Sequence, residues 1–151
     1  MWIGDSHQRV DGARTNLAIE DLRRLAQGEK PFFLALGFIR PHLAWISPKK
    51  YWDLYDPKML PIIIDGKVTP NTPPYALSNS YELTHYMDLI DFPKPWDDQR
   101  VTDAVARRLM HGYYASVSYV DAQIGRLLAA LDEDGLNDNT VIVLWSDHGW
   151  K

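Results

Sequence analysis

The sequence predicts an α/β fold, a parallel or mixed sheet flanked by helices, and three observations carry that prediction. Two short apolar runs, "PFFLALGF" at 31–38 and "TVIVLWS" at 140–146, have the length and the residue types of buried strands. Each follows a stretch with the three- and four-residue spacing of an amphipathic helix. A helix in the crossover between two strands is the pattern of parallel neighbours in one sheet, joined by a right-handed connection.

The elements follow in chain order. From Thr15 to Gln27, Ala18, Ile19, Leu22, Leu25 and Ala26 form one apolar face, while Glu20, Asp21, Arg23 and Arg24 occupy the other, and Gly28 ends the helix. The run 31–38 is apolar at every register, as a strand covered on both faces requires. "IRPHLAWISPKKYWDLY" then turns the chain. Arg40 precedes a proline and is biased away from helix, and Ser47 before Pro48 predicts a capping hydroxyl and a short helix over 48–55. From Asp56 to Asp98, "DPKMLP", "TPNTPP" and "DFPKPW" punctuate a long irregular excursion of the kind that forms binding loops or lids.

A long helix is predicted from about Asp98 to Leu131, on the spacing of Val105, Leu109, Tyr113, Val117, Val120, Ile124, Leu128 and Leu131. Gly112 and Gly125 within it mark either close packing or a break, and Gly135 stands where a C-terminal cap belongs. A length of 151 residues suits a single domain.

Composition removes several classes of function. The formal net charge is -4 and no long basic run is present, so recognition of a nucleic-acid backbone has little support. The absence of cysteine removes disulfides, thiolate metal sites and a cysteine nucleophile together. The apolar runs are far shorter than the roughly 18 residues of a membrane span, and "MWIGDSHQRVDG" lacks the apolar centre of a signal peptide. No G-x-S-x-G elbow, Walker loop or G-x-G-x-x-G occurs.

In an open parallel sheet, ligands bind beyond the carboxyl ends of the strands. The groups at those ends here are "RPH" and "SDHG". Asp147 and His148 place a carboxylate and an imidazole past the second strand, where both can face one ion, and Gly149 permits the turn. On spacing alone the simpler role is structural, with Asp147 capping a following helix and His148 partly exposed. His42, stiffened by Pro41, occupies the matching edge after the first strand. It suits either an anionic-substrate site or a hydrogen bond to backbone. Arg40, Lys49 and Lys50 can attract an anion, although solvated charge is the simpler role for the lysines; Trp45, close to His42, could line a carbohydrate pocket, although core or interface packing is its simpler role. His7, His85 and His111 have no such context, and His111 falls inside the long helix as a surface or packing residue.

With "PFFLALGFIRPH", "GYYASVSYVDAQIGRLLAALD" and "NTVIVLWSDHGW" in that order, the chain resembles type I sulfatases, and among them the iduronate-2-sulfatase-like group. The resemblance runs from about Asn16 onward and implies a central segment of an alkaline-phosphatase-like catalytic domain, with residues 1–151 forming part of that domain. It implies that Asp147 and His148 help hold a divalent ion, generally calcium, and that His42 contacts the sulfate group. Imidazole suits zinc or manganese better than calcium, which prefers oxygen ligands. The family's nucleophile is a formylglycine made from the Cys or Ser of a C/S-x-P-S-R motif. That motif is absent here, as are the paired N-terminal aspartates and the lysine beyond the "DHGW" block, and Lys151 is too close to that block to replace it. The expectation is therefore an internal segment or truncated reading frame, inactive alone and partnered by the rest of the sulfatase domain. The substrate implied is a sulfated carbohydrate or other small sulfated alcohol, and the location implied is exported, whether periplasmic, secreted or lysosomal. Two alternatives stand beside this one: a phosphodiesterase or phosphonate hydrolase on the same scaffold, and a non-catalytic binding remnant.

Overall fold

The structure, a computed structural model, describes residues 10–61, 70–73, 82–83 and 101–149. Most of the irregular excursion after Asp56, together with His7 and His85, lies outside the described residues.

Helix α1 spans Val10–Ala26, starting five residues before the predicted Thr15. Asp11 in its first turn suits the positive end of the helix dipole, and Arg23 and Arg24 suit the negative end. Helix α3 runs unbroken from Asp103 to Glu133. Its start is later than the predicted Asp98 because Thr102 is the cap, its hydroxyl accepting from the Val105 N–H at 3.3 Å. At its far end Gly135 takes φ +66°, with the Leu136 N–H bonded to the Leu131 carbonyl and the Gly135 N–H bonded to the Asp132 carbonyl. This is a Schellman cap, and Leu136 packs into the neighbouring apolar cluster as that motif requires.

The short helix α2 covers Lys49–Trp52, inside the predicted 48–55. The expected Ser47 cap is not made. The Ser47 hydroxyl is buried without a partner, and its carbonyl instead accepts from the Trp52 indole at 3.2 Å. Asp56 caps a short 3-10 turn at Pro57–Met59.

Helices α1 and α3 lie side by side and run in the same direction, because their ties advance together along both. The Gly12 N–H donates to the Tyr119 hydroxyl at 2.9 Å, Arg126 donates to Asn16 at 2.5 Å, and Arg23 pairs with Glu133 at 3.1 Å. Leu22, Ala130 and Leu131 form a buried cluster at the far end of the pair, and Tyr51, Ala115 and Tyr119 form another beside α2. The buried stripe of α3 is Gly112, Ala115, Ser116, Tyr119, Gln123, Ala130 and Leu131. It is offset from the predicted Val105-to-Leu131 stripe, and Val117 and Leu128 on that predicted face are exposed. Small residues let α1 and α2 approach closely, so the contact face is the smooth side of the helix.

The predicted strand at 31–38 is an extended segment, and Phe32 and Leu34 pack on the Leu22 cluster. It leaves the C-terminal end of α1 and returns to its N-terminal end, where Ile39 and Arg40 meet Asp11. Even-numbered residues face the helices and odd-numbered ones face outward, with Phe33 88% exposed. The run at 140–146 is also extended, with Val141 91% exposed. The described residues form no β-ladder, so the expected sheet is not seen among them. A strand needs a hydrogen-bonding neighbour, and these two segments are not each other's.

Candidate functional site

The candidate residues lie on the two turns that follow the extended segments. The first is a tight turn in which the His42 N–H donates to the Ile39 carbonyl at 2.9 Å. The Trp45 indole closes the loop on the Pro41 carbonyl at 2.8 Å, and its ring meets Tyr113 edge-on at 6.1 Å. Gly112 makes this seat possible, since a Cβ there would sit 3.1–3.2 Å from Trp52 and Trp45 atoms. Trp45 is thus a brace for the loop, with its indole N–H already committed. Arg40 donates to the Ile46 carbonyl at 3.2 Å and Arg14 to the Gly37 carbonyl at 3.3 Å, so both cations hold backbone.

The His42 imidazole projects from this braced loop with its side chain 56% exposed. Its Nδ1 lies 2.8 Å from the Leu43 carbonyl oxygen. A carbonyl only accepts, so Nδ1 carries the proton and Nε2 is the nitrogen presented to a ligand. Glu82 Oε1 stands 3.8 Å from Nδ1. The other basic candidates nearby have local partners: Lys49 pairs with Asp53, and Lys50 lies over the Tyr51 ring at 4.9 Å. His111 packs as expected, its Nε2 2.7 Å from the Trp52 carbonyl and its ring edge-on to Trp52.

The second turn carries Asp147 and His148, with side chains 86% and 74% exposed. Asp147 accepts from the His148 N–H at 3.0 Å, and Ser146 donates to the His148 carbonyl. His148 Nδ1 faces the Gly149 carbonyl at 3.2 Å, which accepts from an Nδ1–H, while Nε2 is turned toward Asp147. Metal-binding histidines usually have this arrangement, with the second ring nitrogen donating to a carbonyl or carboxylate.

His148 Nε2 and Asp147 Oδ2 lie 3.5 Å apart. At the roughly 2.3–2.6 Å ligand distances of calcium, donors with that spacing fit neighbouring positions around one ion. The spacing of the donor pair is therefore compatible with two positions around one divalent ion. Among the described residues no group of three or more His, Cys, Asp or Glu gathers to complete a shell. Within the same limits, no hydrogen bond or ion pair joins His42 to the Asp147–His148 pair.

Two neighbours of His42 were not singled out in the sequence. Asp11 fell before the predicted helix start, and Glu82 lies in the irregular excursion, where no periodicity marks a residue. Asp11 is 2% exposed and accepts from the Ile39 N–H at 2.7 Å and the Arg40 N–H at 3.3 Å.

Comparison with known proteins identifies the family. The family model described as Sulfatase matches residues 4–150. Human iduronate 2-sulfatase is 34% identical over 142 residues, covering 93% of this chain and 26% of its own length. A sulfatase of Formosa agariphila is 35% identical over 125 residues, covering 82% and 23%, and an arylsulfatase of Clostridium perfringens is 34% identical over 134 residues, covering 89% and 25%. The chain spans about a quarter of the length of these curated relatives. The family match covers nearly the whole chain, and the chain belongs to the sulfatase family, within the alkaline-phosphatase-like superfamily.

Proposed function

We propose that this chain is part of the catalytic domain of a sulfuric ester hydrolase of the iduronate-2-sulfatase-like type, which removes sulfate from a sulfated sugar or related alcohol. The observation that carries the reading is the pair of turns. Each follows an apolar extended segment, and each presents an imidazole Nε2 whose partner nitrogen is occupied by a backbone carbonyl. Family membership supplies the ester class.

In this reading His42 donates from Nε2, when protonated, to an oxygen of the sulfate group. Hydrogen bonds to a charged acceptor are worth about 1.5–3 kcal/mol. Asp147 and His148 hold a divalent ion, calcium by family, that would offset charge on the sulfate oxygens. The formylglycine nucleophile belongs to sequence outside residues 1–151, which contain no cysteine. The two extended segments are strands of a parallel or mixed sheet completed by the rest of the sulfatase domain, which covers Phe33 and the exposed run from Val141 to Trp145. A sulfated carbohydrate such as a glycosaminoglycan is the substrate class. Export fits the family, and no described helix is long and apolar enough to cross a membrane.

The test is sulfate release by protein made from the complete reading frame, with sulfated sugars, an aryl sulfate, a phosphodiester and a phosphonate monoester as substrates. Release of sulfate from the sugars supports the reading. Preference for the phosphorus esters assigns the chain to another branch of the superfamily.

A further inference from the structure

We propose that Asp11 is a positioning residue for His42, an inference that rests on the sulfatase reading of that histidine. The starting point is a carboxylate buried to 2% exposure. Such a group is costly to bury unless its oxygens are hydrogen-bonded. Each oxygen takes one backbone amide, Oδ1 from Ile39 at 2.7 Å and Oδ2 from Arg40 at 3.3 Å.

Those two amides are the last before Pro41 and His42. Proline has no N–H and a fixed φ, so nothing between the clamp and His42 offers another backbone donor. Ile39 is held at both ends: its N–H is bonded to Asp11, and its carbonyl accepts from the His42 N–H at 2.9 Å. A two-bond path therefore runs from the first turn of α1 to the backbone of His42.

The other end of that path is anchored. The next residue, Gly12, donates to Tyr119 of α3 at 2.9 Å, and the Thr15 hydroxyl donates to the Asp11 carbonyl at 2.8 Å. The N-terminal turn of α1 also favours a negative charge at this point. Asp11 thus references the His42 loop to the α1–α3 pair, while Trp45 references it to α3 by a separate route.

Asparagine at this position keeps the shape but turns one oxygen into an NH2 group facing a backbone N–H. Asp11→Asn therefore opens the clamp without leaving a cavity. The comparison is Leu131→Ala, which loosens the apolar cluster at the far end of the helices without touching the loop.

The experiment is a double-mutant cycle between Asp11→Asn and His42→Ala, in protein from the complete reading frame, assayed with 4-nitrophenyl sulfate well below the melting temperature. The expected result is that Asp11→Asn lowers kcat/KM by roughly tenfold or more in the wild-type background and by less than about twofold when His42 is already alanine. Leu131→Ala leaves kcat/KM per folded molecule within about twofold, and Asp11→Glu recovers part of the loss. Equal losses from Asp11→Asn in both backgrounds overturn the proposal.

Amide hydrogen exchange over residues 39–42 provides a readout that needs no activity. Exchange there rises in Asp11→Asn and not in Leu131→Ala if Asp11 holds the loop. Equal exchange in the two variants overturns the clamp. If the unaltered protein releases no sulfate, the sulfatase reading of His42 fails, and the exchange result still decides whether Asp11 orders the loop.

Discussion

The Tyr119 hydroxyl accepts a hydrogen bond from the Gly12 backbone N–H at 2.9 Å, joining helices whose partners are 107 residues apart in sequence. Both residues are buried, so the bond is shielded from competing water. Tyr119→Phe removes the acceptor and leaves a buried N–H unsatisfied, at a cost of about 1–3 kcal/mol. Chemical denaturation of the two proteins checks this through the shift in midpoint at unchanged slope.

The two glycines inside α3 separate cleanly. A methyl group at Gly112 meets Trp52 and Trp45 at 3.1–3.2 Å, whereas nothing lies within 4 Å of the corresponding position at Gly125. Gly112→Ala is expected to destabilise by about 1–3 kcal/mol through overpacking. Gly125→Ala is expected to be neutral or to stabilise by up to about 1 kcal/mol through helix propensity. Thermal melts of both variants give opposite shifts if this packing is correct.

Gly135, at φ +66°, closes α3. Alanine there pays the left-handed penalty of roughly 1 kcal/mol and loosens the turn that places Leu136 in the apolar cluster. The melting temperature falls, and hydrogen exchange rises at the Leu136 amide.

At the second turn, Asp147→Ala and His148→Ala each remove one donor from the proposed ion. Each is expected to weaken divalent-metal affinity by about tenfold or more in protein from the complete reading frame. Calorimetric titration with calcium, and separately with manganese and zinc, measures the loss and identifies the preferred ion. Residues 1–151 alone, with no C/S-x-P-S-R motif to yield a formylglycine, are expected to show no turnover of an aryl sulfate.

The helices were legible because their apolar spacing repeats over many turns, and Gly135 was legible because only a left-handed residue ends such a helix that way. The face of α3 was not. Large apolar side chains such as Val117 and Leu128 draw the eye to one stripe, while the buried stripe includes Gly112, Ala115, Ser116 and Gln123, whose small or polar side chains carry little hydropathy. The Ser47 cap is not made: the short helix begins after Pro48, and the Ser47 hydroxyl is buried without a hydrogen-bond partner.

His42, Asp147 and His148 stood out because each follows an apolar run, and runs of that kind end at ligand-binding edges. Asp11 did not stand out, since its partners are backbone amides 28 and 29 residues away and an amide leaves no mark in a sequence.

The most direct test of the central claim is sulfate release from a sulfated sugar by protein made from the complete reading frame, compared with its His42→Ala variant. The account predicts that the unaltered protein releases sulfate, that chelation of divalent metal abolishes the release, and that His42→Ala lowers kcat/KM by roughly 10–100-fold. Full activity in the His42→Ala variant, or hydrolysis of phosphorus esters with no release of sulfate, would contradict it.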